Sequence, residues 1–307
     1  MKVVYMGTPE FAVPPLRALA DQTLLAVFCQ PDRPKGRSGK PQPCPVKQVA
    51  LELGVPVHQP RRIRARKWVA LLRELAPDLI VVAAFGQLLP QSILDIPTID
   101  CINLHASLLP RWRGASPIHH AILEGDRETG VAVMKMLKEL DAGPVYSEAR
   151  TEIRPEEGRV ALEERLAKIG ADLLHRSLPL LTDLEPRPQG EQGLTYAPII
   201  SKDFGRLDAG TMDAARIARM TRALEGWPQV QCTFRDQPLK ILTARALEQS
   251  TDAAPGTIVS ITRKQLLVAC AGGSVLSVES VQPPGKKPQP VAAFINGYKP
   301  TEGELLT

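Results

Sequence analysis

A chain of 307 residues is too long for one ordinary domain and fits two; with 44% hydrophobic and 23% charged residues it is neither disordered, collagen-like nor a disulfide-stapled miniprotein. Aromatic residues are 4%, so the cores are expected to be aliphatic, and no run approaches the ~20 apolar residues a bilayer span needs. The net charge of +5 hints at a polyanionic partner, while five widely spaced cysteines, none in C-x-x-C, give zinc or redox chemistry little support and suit a reducing cytoplasm.

The opening MKVVYMGTPEF reads as a buried strand, not a signal peptide. Apolar strands are expected at 2–7, 24–30, 78–86, 99–105 and 130–137, with helices at 14–20, 45–54 and 66–75 between them. Such alternation predicts an α/β fold: a Rossmann-like, mostly parallel sheet with helices on both faces. Its sites belong at the carboxyl ends of the strands. A further helix spans 156–181. Residues 182–205 hold three prolines and three glycines without a period and read as an interdomain linker. Beyond them come a helix at 211–224 and short strands at 230–234, 239–247, 256–261, 265–271 and 274–282, the pattern of a small OB-like β-barrel. The expected organisation is a catalytic domain over 1–182, a linker over 183–205 and a C-terminal domain over 206–307.

Charge is concentrated. Residues 30–67 carry ten cations against two acids, whereas residues 204–307 carry twelve against nine. The run at 61–67 reads as a solvated helix start.

One segment dominates the chemistry, CINLHASLLPRWRGASPIHHAILEGDRETGVAVMKMLKELDAGPVY over 101–146. Asn103 and His105 sit two apart at a strand end, so they share a face with Cα atoms about 6–7 Å apart. An amide donor and an imidazole pointing the same way can hold one small reacting group. Pro110 restricts the loop that follows and Gly114 permits close approach. Asp141, in the turn ELDAGP, is a carboxylate that can orient or charge the histidine. GTPEFA lacks both G-x-G-x-x-G and G-K-[ST], so Gly7 and Thr8 are expected to serve a strand-to-helix turn. The neighbouring His119 and His120 face different directions and make no metal site.

N-L-H-A-S-L-L-P-R-W-R-G-A-S-P-I with the later L-D-A-G-P resembles the folate-dependent formyltransferases. GTPEFAVPPL, QPDRPKGRSGK, PVKQVALELGVPVHQP, YAPIISK, QPPGKKP and FINGY extend the resemblance over nearly the whole chain, toward the branch that acts on aminoacyl-tRNA. The resemblance implies a donor, 10-formyltetrahydrofolate, an acceptor, the α-amino group of methionine on initiator tRNA, and no metal. It implies Asn103, His105 and Asp141 as the catalytic trio, and Phe85, Gly86, Ser107, Leu108, Leu109 and Pro110 as the folate contacts. The basic insert 31–47, with Arg33, Lys35, Arg37 and Lys40, resembles the loop this branch sets against the acceptor end of tRNA. A cytoplasmic monomer with no membrane partner is expected.

The chain departs from the family pattern at Ile199 and Ile200, where a lysine is usual, at Ala209, where an aromatic is usual, and at Lys138 and Glu139 before Asp141. These bear on the linker–tRNA contacts and the lid shape, not on the trio. A small-amine formyltransferase, such as one acting on an amino-sugar nucleotide, is the alternative; the basic insert argues against it. A non-catalytic RNA-binding protein would leave the trio idle.

Overall fold

The computed structural model describes residues 1–34, 39 and 41–307. Its contacts divide into two compact units, one of Met1–Pro117, Glu128–Glu152 and Ala161–Ala197, the other of Ile118–Arg127, Ile153–Val160 and Pro198–Thr307.

The first unit is built on seven strands: β1 (Lys2–Gly7), β2 (Thr23–Phe28), β3 (Val57–His58), β4 (Leu79–Ala83), β5 (Asp100–His105), β6 (Glu128–Lys135) and β7 (Val145–Glu152). They are ordered β7-β6-β5-β4-β1-β2-β3. From β5 to β3 every pairing is parallel; β6 runs antiparallel to both β5 and β7. Strands β1 and β4 are almost wholly apolar because helices cover both faces of the sheet. On one face Val4, Met6, Ala26, Phe28, Ile80 and Val82 pack against Val69 and Leu72 of the helix Arg66–Leu75. On the other, Gly170 of the helix Arg159–Ser177 lies where an added Cβ would be 3.3 Å from the Leu104 and Val131 side chains, so a glycine lets this helix sit near the sheet without displacing them.

Two strands lie outside the sequence expectation. Val57–His58 is only a dipeptide, and Val145–Glu152 is a charged edge strand with little apolar signal. Arg150 pairs there with Glu128 and Glu148, the kind of charged edge that discourages pairing with another sheet.

In the second unit β8 (Val230–Phe234), β9 (Gln237–Ser250), β10 (Ile258–Ile261), β11 (Leu266–Ala269) and β12 (Ser274–Gln282) form an antiparallel sheet ordered β8-β9-β12-β11-β10. The chain's last residues bridge its two edges. Leu306 pairs with Phe234 beside β8 and Leu305 with Thr257 beside β10. Ile258 N–H donates to Glu304 O at 2.8 Å, and Thr307 N–H to Thr233 O at 3.0 Å. The tail thus rolls the sheet into a barrel and removes its open edges. The helix Val291–Tyr298, which the sequence pattern does not signal, stacks Tyr298 on Phe294, whose ring meets Phe234. No helix among the described residues is long and apolar enough to cross a membrane.

Candidate active site

Asn103 and His105 occupy the last turns of the pleat in β5, opposite Met134 and Ala132 of β6. His105 is 5% exposed. Its Nε2 lies 2.8 Å from Trp112 O. A carbonyl only accepts, so this nitrogen carries the ring proton and Nδ1 is the nitrogen left for chemistry. Nδ1 faces Asp141 Oδ2 at 3.8 Å, a charge–charge distance rather than a hydrogen bond. The same Oδ2 accepts the backbone N–H of Gly114 at 2.8 Å. Nothing among the described residues hydrogen-bonds the Asn103 side chain, so its amide is left for a ligand.

The loop after β5 holds this arrangement. Ser107 Oγ donates to Arg111 O at 2.6 Å, closing a tight turn that contains the cis Leu109–Pro110 bond. Leu109 joins a small apolar cluster with Ala132, Met134 and Val145, while Leu108 and Pro110 are half-buried. Trp112 and Asp141 both take left-handed backbone angles, φ 62° and 47°, which cost a non-glycine residue about 1–2 kcal/mol each. Neighbouring bonds hold them there. Trp112 N–H donates to Thr195 Oγ1 at 3.0 Å, and Arg113–Gly114 pairs in parallel with Tyr196–Ala197. The residues expected to be a linker are therefore bonded to this site. Thr195 and Gln189 were missed because polar side chains in a Pro/Gly-rich stretch carry no local signal of their partners.

The strand order reverses between β1 and β4, and a crevice is expected at that point. There Gly7 opposes Ala83, and an added Cβ would lie 2.8 Å from Ala12 and 2.9 Å from Ala83 O. The hydroxyl of Thr8 donates to Phe85 O at 3.3 Å, as does Gln30 Nε2 at 3.1 Å. Gly7 and Thr8 thus build the strand-to-helix turn. The Phe85 side chain is 2% exposed within the core, so this segment presents backbone, with Gly86 at φ 78°.

Of the basic insert, Arg33 is exposed on an antiparallel pair, Arg33–Pro34 with Pro41–Gln42. Lys35, Arg37 and Lys40 lie outside the described residues. Below the pair, Lys47 bonds Asp32 at 2.6 Å and Gln59 bonds Asp32 at 2.7 Å; the Lys47 and Gln59 hydrogen bonds lower the Asp32 carboxyl pKa. Cys29 and Cys44 hydrogen-bond at the same place, which raises the Cys29 pKa and lowers that of Cys44 to about 6.

His119 and His120 take no part in this site. Burial pushes His119 down to about 4, and His120 Nε2 meets Pro198 O at 3.2 Å. No cluster of three or more His, Cys, Asp or Glu residues among the described residues is placed to hold a metal.

Residues 1–178 match the Formyl transferase family and residues 199–299 its C-terminal domain. The chain is 46% identical to a methionyl-tRNA formyltransferase of Pelobacter propionicus, covering 99% of this chain and 95% of that one. A methionyl-tRNA formyltransferase of Geotalea daltonii is 44% identical, with 100% and 98% covered. Among solved structures, an N-formyltransferase from Helicobacter canadensis in complex with folinic acid and dTDP-3-aminofucose superposes with a TM-score of 0.64. It covers 91% of this chain and 98% of that one, but at 13% identity it speaks for the fold alone.

Proposed function

This chain belongs to the formyl transferase family, and on that premise we propose that it moves the formyl group of 10-formyltetrahydrofolate to the α-amino group of methionyl initiator tRNA. The observation that supports the chemistry is His105 Nδ1 turned toward Asp141 at the end of β5, with Asn103 two residues earlier on the same strand face.

Attack of the amine on the formyl carbon puts negative charge on the formyl oxygen. The Asn103 amide donates to that oxygen, and a preorganised donor of this kind is worth about 3–4 kcal/mol in the transition state. His105, locked through Nε2, offers Nδ1–H as a second donor in its protonated form, with Asp141 Oδ2 3.8 Å from that nitrogen. Asp141 receives the proton the amine sheds, directly or through one water. The C–N bond to the folate then breaks, and the leaving nitrogen takes the proton that Asp141 received.

The donor heterocycle rests against Gly86 and the loop Ser107, Leu108, Leu109 and Pro110. Gly86 suits a flat ring: an added Cβ there would have only Gln30 Nε2 near it, at 3.5 Å, so backbone is accessible to a ligand. Phe85 contributes its backbone. Arg33, Lys35, Arg37 and Lys40 of the insert meet tRNA phosphates, helped by the C-terminal barrel. The same reading makes the protein a cytoplasmic monomer whose C-terminal barrel binds tRNA.

The test is direct. Protein, 10-formyltetrahydrofolate and methionyl initiator tRNA are mixed, the amino acid is released, and its mass is read. Formylmethionine that depends on Asn103 and His105 supports the reading. Release of tetrahydrofolate only with a small amine would overturn the acceptor, and no transfer to either would overturn the chemistry.

A further inference from the structure

From its contacts we infer that Gln189 is a positioning residue for Asp141. The inference rests on the reading of Asp141 as a catalytic carboxylate.

Three pieces of chain meet at this side chain. One amide nitrogen, Nε2, donates both to Asp141 O at 2.9 Å and to Gly143 O at 2.6 Å. The amide oxygen accepts from Arg113 Nε at 2.9 Å. Both N–H donors and the carbonyl of the primary amide are therefore engaged. Arg113 adjoins Gly114, whose N–H holds the Asp141 carboxylate. Gln189 thus ties the turn that bears Asp141 to the strand that supplies its hydrogen-bond donor.

The turn needs such a tie. Asp141 has a positive φ of 47°, a conformation its own backbone disfavours. An unheld turn would relax and swing the carboxylate away from His105 Nδ1. Gln189 is itself held. Two residues earlier, Arg187 exchanges both backbone hydrogen bonds with Val145 at 2.8 Å, which fixes the depth at which Gln189 enters. No other residue type serves equally. Asn is a methylene shorter, and Glu would set a carboxylate against two carbonyl oxygens.

A double-mutant cycle in the full-length enzyme tests this, with 10-formyltetrahydrofolate and methionyl initiator tRNA as substrates. Gln189→Ala and the isosteric Gln189→Glu should each lower kcat by about tenfold to a hundredfold, the scale of a catalytic group displaced by an ångström. The KM for the folate donor should change less than about threefold, because uniform binding is intact. In an Asp141→Asn background, where residual turnover is followed in single-turnover mode, either change should cost less than about twofold more. Full additivity would overturn the inference, as would wild-type kcat in Gln189→Ala or loss of folding in both Gln189 variants. Wild-type activity in Asp141→Asn would instead overturn the reading of Asp141 on which the inference stands.

Discussion

Gly114 donates its backbone N–H to Asp141 Oδ2 at 2.8 Å, and only glycine can stand where that donor stands. Its φ is 119°, outside the range of residues with a side chain, and an added Cβ would lie 2.7 Å from Ala197 O. Gly114→Ala should therefore push the Arg113–Gly114 strand off Tyr196–Ala197 and pull the donor from the carboxylate. The expected result is a loss of kcat/KM of about a hundredfold or more, with a lowered Tm. Steady-state kinetics beside thermal melting checks it; unchanged kinetics would remove this contact from the mechanism.

Asn103 and His105 should each be costly to remove. Asn103→Ala removes one oxyanion donor and should lower kcat by about 10²–10³ with little change in the KM for the donor. His105→Ala should lower it at least as far while folding is preserved, since the Nδ1 donor is lost and Asp141 no longer has the ring it faces. Near-normal turnover in either variant would sink that assignment.

For the basic insert the informative variable is salt. If Arg33 neutralises one phosphate, Arg33→Ala should weaken tRNA binding and make the slope of log Kobs against log salt shallower by about 0.7–0.9. Titrations of tRNA at several salt concentrations measure this. An unchanged slope would mean that Arg33 touches no phosphate.

Cys44 should be the most acidic thiol of the chain. A hydrogen bond from Cys29 holds it near pH 6, whereas burial and the same pairing push Cys29 up. Burial likewise raises Cys101, Cys232 and Cys270. Alkylation followed by peptide mass mapping should label Cys44 first, with a rate that levels off above about pH 7. In Cys29→Ala, which removes the donor, the inflection should move upward. Labelling that rises steadily to about pH 9 would contradict the pairing.

The barrel carries its own acid sensitivity. Glu304 makes a two-pronged pair with Arg235, at 2.6 and 2.9 Å, and accepts Thr301 N–H at 2.7 Å. The Arg235 hydrogen bond chiefly holds its carboxyl pKa at about 2. A depressed folded pKa means stability that is present above the ordinary carboxylate range and is lost as pH falls through it toward about 2. Glu304→Gln should lower Tm at about pH 7, and the difference from wild type should vanish in strong acid. A Tm gap independent of pH would point to packing instead.

The alternation of apolar runs with helical periods determined the α/β class and the approximate place of many elements, because such periods are properties of neighbouring residues. The strands Lys2–Gly7, Val230–Phe234 and Ser274–Gln282 and the helix Arg66–Leu75 fall where the pattern puts them. The spacing of Asn103 and His105 is legible in the same way: a strand's period is two, so residues two apart share a face. What sequence order does not encode is which distant atoms meet. That Nδ1 rather than Nε2 of His105 is left for chemistry follows from a carbonyl seven residues on, at Trp112. That Glu304–Thr307 closes the barrel follows from edges more than forty residues away. That the Pro- and Gly-rich stretch bears Gln189 and Thr195 against Asp141 and Trp112 follows from folding across 48 and 83 residues. Such hydrogen bonds are chosen by the packed backbone, so only the tertiary structure decides them.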